Sequence, residues 1–221
     1  MYLAIIGDFI DSKNLEDRSN YQKQLQKTLD LLNQKYKMHL ASKMSITLGD
    51  EFQALFKEDS PIFQIIDELS IAMKPVDIRY GIGYGEILTT INPEQSLGAD
   101  GPAYWNAREA ITFIHQKNDY GQTHLAIRTG SETDDIILNS LLSAGEAIKS
   151  NWITSQIDVY ETLLKEGIYE EQFDQQEIGE KLSLNSSALS KRLKSSNIKV
   201  YLRTRQSARL YLSQLKKEIN K

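Results

Sequence analysis

The chain opens on an apolar run, Tyr2-Leu3-Ala4-Ile5-Ile6, that stops at Gly7-Asp8. A short run bounded by a turn signal predicts a buried strand. From about Ser19 to Leu40, Leu25, Leu29, Leu32 and Tyr36 recur every three or four residues among Lys, Gln and Asp, which predicts an amphipathic helix. Residues 44–48 and 51–56 alternate on either side of Gly49-Asp50 and predict a β-hairpin. Ile62, Ile65, Ile66, Leu69 and Met73 mark the apolar face of a second helix, which Pro75 stops. Residues 76–87 predict a strand with Ile78, Tyr80 and Ile82 on one face and glycines at 81, 83 and 85 between them. A loop, a helix over about 104–116 and a strand over 123–129 follow.

The first six of these elements run β-α-β-β-α-β. That is the ferredoxin-like pattern, a sheet with helices on one face. The polar stretch 130–135 predicts a boundary, and everything beyond it has helical periodicity. The expected fold is therefore α+β: a mixed domain over 1–133 and an all-helical domain over 134–221. Within the second, residues 173–182 predict a short helix with Ile178 and Leu182 inward. Residues 183–185 make a turn, and Ser186 is placed to cap a second helix over 187–195. That helix buries Ala188, Leu189 and Leu193 and exposes Ser187, Ser190, Lys191 and Lys194. A helix, a three-residue turn and a polar-basic helix have helix-turn-helix spacing, here over about 173–195.

Charge sharpens this reading. The net charge of -4 divides unevenly: residues 186–221 carry ten Lys and Arg against one acid, a net of +9, which leaves -13 for residues 1–185. An acidic body with a basic end is the asymmetry expected when one end meets a polyanion, and DNA is the expected partner. The exposed face of the second helix would reach base edges, while Arg203, Arg205 and Arg209 would hold flanking phosphates. The competing account is a helical dimerisation bundle with a solvated basic surface. At 40% hydrophobic and 25% charged residues the composition is that of an ordinary globular protein. No apolar run approaches the roughly 18 residues of a membrane span, and the first residues lack a basic leader, so a cytoplasmic location is expected. The absence of cysteine excludes disulfides and thiol chemistry.

Two acids stand at turns: Asp8 at the end of the first strand and Asp50 at the hairpin tip. If those strands are neighbours, the carboxylates converge, and hard oxygen ligands of this kind suit Mg²⁺ or Mn²⁺. Taken singly, each is better explained as structural, Asp50 as a turn residue and Asp8 as the end of a strand. Leu48-Gly49-Asp50-Glu51-Phe52-Gln53 resembles the hairpin of class III nucleotidyl cyclases and GGDEF diguanylate cyclases, and Gly7-Asp8-Phe9-Ile10-Asp11 resembles their first-strand metal motif. Residues 80–86 and 101–108 are similar to the stretch that enters the helix bearing the cyclase asparagine. The resemblance covers about residues 2–130. It implies metal ligation by Asp8, Asp50 and the backbone carbonyl of Phe9, and nucleotide contacts from Gly49, Glu51 and Asn106, with Asn106 the catalytic candidate. Four positions depart from it: Ile46 stands where the purine-reading lysine would be, Ala103 where its partner acid would be, Ala110 where an arginine would be, with Arg108 two residues off register, and Leu48 where the first glycine of GGDEF would be.

Over nearly its whole length the chain resembles the SatD family of bacterial proteins. The residues that carry this are the start through Ser12-Lys13, the hairpin 49–53 and the helical stretch 152–193. The function expected from all this is a nucleotide- and metal-responsive DNA-binding regulator. An active cyclase or related phosphotransfer enzyme, and a non-catalytic interaction module with a vestigial metal site, are the alternatives. A homodimer suits either of the first two, because cyclases often build their site across one.

Overall fold

The computed structural model describes residues 1–116 and 121–219. Five strands, β1 (Tyr2–Phe9), β2 (Leu40–Leu48), β3 (Glu51–Lys57), β4 (Ile78–Gly85) and β5 (Leu125–Arg128), form one sheet in the order β2-β3-β1-β4-β5. All neighbours are antiparallel except β4 and β5, which run parallel. The helices of this half are α1 (Arg18–Lys35), α2 (Ile62–Ala72) and α3 (Pro102–His115). Five more follow: α4 (Glu132–Lys149), α5 (Thr154–Lys165), α6 (Gln175–Lys181), α7 (Ser186–Ser196) and α8 (Ile198–Ile219). The chain is thus a mixed α/β protein.

The period-two alternation of the strands separates two faces. Leu3, Ile5 and Phe9 of β1, Phe52 and Phe56 of β3, and Ile78, Tyr80, Ile82 and Tyr84 of β4 share one core with Leu25, Leu29 and Leu32 of α1 and Ile62, Ile65, Ile66 and Leu69 of α2. Ala4 and Ile6 of β1 and Leu55 of β3 face the other way, onto Ala103, Tyr104, Ala107 and Ile111 of α3. The sequence pattern places helices on one face only; α3 covers the second. It lies so close to β4 because Gly81, Gly83 and Gly85 present no side chain there. A Cβ at Gly83 would stand 1.9 Å from the carbonyl oxygen of Ala103.

The 133/134 boundary separates mixed from purely helical elements but not one core from another. Leu138 and Leu142 of α4 and Ala208, Leu212 and Leu215 of α8 pack into the same core as α1 and α2. Asn139 of α4 also closes the edge of β5, accepting from Ile127 N at 2.9 Å and donating to Ile127 O at 2.9 Å. A second core of Trp152, Tyr160, Leu163, Ile178, Leu189, Leu193 and Tyr201 holds α5 to α8 together.

One buried ionic cluster joins the halves. Asp67 projects from α2, with an exposure of 2%. Its Oδ1 accepts from Lys149 Nζ at 2.6 Å. Its Oδ2 accepts from the hydroxyls of Tyr160, Tyr169 and Tyr201, each at 2.5 Å. Arg205 lies beside them, donating to Tyr201 Oη at 3.1 Å and paired with Glu146. The expectation that Arg205 meets DNA phosphates is thereby corrected. At 1% exposure its guanidinium is a buried counter-ion and has no access to a phosphate.

Candidate functional site

The acids picked out in the sequence do gather at one end of the sheet. In the β1–β3 pairing Asp8 stands directly opposite Glu51, and Asp50 precedes Glu51 in the turn at Gly49, whose φ of 62° is left-handed and suits glycine. Asp8 and Glu51 both project toward the α3 side. Burial pushes the Asp8 carboxyl above its ordinary value, and the charge of Asp50 adds to this; Arg79 and His115 oppose it.

Each of these carboxylates is held by an arginine. Arg79 of β4 donates through Nε to Asp8 Oδ1 at 3.1 Å and through Nη2 to Phe9 O at 3.4 Å. Its Nη1 meets His115 Nδ1 at 2.9 Å, and His115 Nε2 lies 3.0 Å from Asp8 Oδ2. An arginine can only donate, so His115 Nδ1 accepts and its Nε2–H donates to Asp8, closing a ring of three side chains. Arg18, the first residue of α1, donates to Asp50 Oδ1 at 3.0 Å. Arg108 of α3 grips Glu51 with two bonds, at 2.8 and 3.0 Å, and holds its carboxyl below the ordinary value.

A divalent cation at this site would need Asp8, Asp50 and the Phe9 carbonyl together. The Arg79 guanidinium already contacts Asp8 and that carbonyl, and Arg18 takes Asp50. As folded, the donor set fits guanidinium rather than a metal ion. Among the described residues no group of three or more His, Asp and Glu could hold one. A direct consequence is measurable: millimolar Mn²⁺ should leave the thermal midpoint of the wild type unchanged. Arg79→Ala, which frees both oxygens, should gain a Mn²⁺-dependent rise that Asp8→Asn removes. A Mn²⁺-dependent rise in the wild type would contradict this assignment.

The other nucleotide candidates are also engaged in the fold. Asn106 Nδ2 donates to Tyr84 O at 2.8 Å and ties α3 to β4. Gly49 shapes the hairpin, with Arg18 packed against it.

The second candidate surface lies on α6 and α7. Ile178 of α6 and Leu189 and Leu193 of α7 are buried, and Gly179 lets Leu184 O approach to within 3.0 Å of where a Cβ would be. The turn uses Ser183 at φ 53°, and Asn185, not Ser186, caps α7 by accepting from Ala188 N at 2.8 Å. Ser187, Ser190, Lys191 and Lys194 are all exposed, on the side of α7 away from Leu189 and Leu193. Arg203 is exposed but bonded to Glu171 at 2.6 and 2.8 Å. The side chains of Lys216, Lys217 and Lys221 lie outside the described residues.

No helix among the described residues is long and apolar enough to cross a membrane. No curated protein matches the chain. The model of the SatD family matches residues 2–212, close to the whole length. The chain belongs to the SatD family.

Proposed function

We propose that the protein is a DNA-binding regulator, in which a ferredoxin-like sheet unit related to nucleotidyl cyclases carries a helix-turn-helix. The observation that carries this is α7: one side seats Leu189 and Leu193, and the opposite side offers Ser187, Ser190, Lys191 and Lys194 to solvent. Hydroxyls and ammonium groups on one exposed helix face suit phosphates and base edges in a major groove. With Arg205 buried and Arg203 bonded to Glu171, the interface narrows to α7 and its capping turn.

The test is binding to fragments of genomic DNA at several salt concentrations. Lys191→Ala with Lys194→Ala should weaken binding at least tenfold. It should also reduce the slope of log K against log salt by about 2, roughly one for each phosphate that the helix no longer neutralises. Binding that the double variant leaves intact, or no salt-dependent binding at all, would count against the proposal.

A second reading, phosphoryl chemistry on a nucleotide, is favoured by the convergence of Asp8, Asp50 and Glu51 at one sheet end. Arg18 and Arg108 there are both about half exposed and sited to meet phosphates. Incubation with each nucleoside triphosphate and Mn²⁺, followed by chromatography, tests it. Ile46, Ala103 and Ala110 leave that site without the side chains a cyclase uses on base and phosphate.

A further inference from the structure

A cavity of about 390 Å³ opens where the sheet unit meets the helical half. Its walls come from α2, the start of β4, the entry to β5, the end of α4, and α5. Ile66, Ile71, Val76, Ile78, Trp152 and Ile157 supply an apolar lining, and the floor is the Asp67–Lys149 pair with Tyr160. Its volume lies within the range of small-molecule sites, and its position between two structural units is a common one for them.

The floor is not fully satisfied. A lysine ammonium carries three N–H donors. Lys149 Nζ gives one to Asp67 Oδ1 and lies 5.8 Å from the centre of the Tyr201 ring. Asp67 accepts four hydrogen bonds, one at Oδ1 from Lys149 and three at Oδ2 from the tyrosines. The charges of the floor balance: Lys149 and Arg205 against Asp67 and Glu146. Lys149 keeps N–H donors to spare, and the paired charges of the floor sum to zero; Glu146 also lines the cavity, with its carboxylate engaged by Arg205 behind it.

We propose that this junction cavity is a binding site for a small uncharged molecule with an apolar body and a carbonyl oxygen, which accepts from Lys149. Such a ligand would touch α2 and β4 on one side and α4 and α5 on the other, so it would brace the helical half against the sheet. The site stands apart from the acid–arginine cluster and from α7, and failure of the DNA-binding reading leaves it intact.

The test uses three probes with the same phenyl body and different heads: benzamide, benzoate and benzylamine. Each is titrated into the isotope-labelled full chain and followed by amide chemical shifts. Benzamide should give saturable shifts at residues lining the cavity, bind at least fivefold more tightly than either charged analogue, and raise the thermal midpoint. Ile157→Trp, which fills the mouth and leaves Lys149 paired, should abolish those shifts while the fold persists. Lys149→Met should remove the preference for benzamide; if that variant fails to fold, the Ile157→Trp result decides. No saturable shift at the cavity, a preference for benzoate or benzylamine, or undiminished binding by Ile157→Trp would overturn the proposal.

Discussion

Replacing Asp67 with Asn should cost about 3–5 kcal/mol of stability, the range for removing one partner of a buried ion pair. The carboxylate gathers a lysine and three tyrosine hydroxyls from α4, the helical half and α8 onto α2. An asparagine amide would turn a donor toward a set of donors and leave the charges of Lys149 and Arg205 under-compensated. Equilibrium urea unfolding of the wild type and variant measures the effect, and a loss below about 1 kcal/mol would refute it. The pH dependence has a fixed sign. Burial alone would raise the Asp67 pKa, but Lys149, Arg205 and the hydrogen bonds outweigh it and hold the carboxyl at about 2, against an ordinary 3.8. A depressed folded-state pKa gives stability that is complete above the unfolded value and lost as pH falls through the folded one. The contribution of Asp67 should therefore disappear between about pH 4 and pH 2, and Asp67→Asn should flatten the stability profile in that window.

The second large effect is expected at Gly83. The carbonyl of Ala103 and the amide of Ala107 would lie 1.9 and 2.3 Å from an added Cβ. Both are backbone atoms of α3, so no rotamer change relieves the clash; α3 itself must move off the sheet. Overpacking usually costs about 1–3 kcal/mol, and a rigid backbone obstruction puts Gly83→Ala at or above about 3 kcal/mol. Thermal unfolding checks this, and a drop in midpoint of less than about 4 °C would show that α3 rides loosely on β4.

The strands, the hairpin and the acid-bearing sheet end were legible in the sequence because alternation, a Gly-Asp turn and carboxylates at strand ends are local signals. The partners of those acids were not. Arg18, Arg79 and His115 lie 32, 71 and 107 residues from the carboxylates they hold, and nothing in the local pattern points across such spans. Arg205 had a signal that charge counting passes over. Ile198, Tyr201, Leu202, Arg205, Ala208 and Leu212 share one helical stripe, and every other member of it is apolar or aromatic. A cation on such a stripe is buried with a counter-ion more readily than it is offered to a phosphate. Asp67 carried the same mark between Ile66 and Leu69. The glycines of β4 were visible, but their purpose depends on which helix crosses them, and that is settled by tertiary packing.

The placement of α8 has a consequence for how the chain is made. It follows every strand in sequence, yet Ala208, Leu212 and Leu215 complete the core beneath the sheet. During synthesis β1 to β5 emerge before α8, and the part of that core not covered by α1 and α2 stays open until α8 leaves the ribosome. The nascent protein thus passes through a stage in which a finished sheet shows an apolar surface, the kind of surface that chaperones cover and that aggregation exploits.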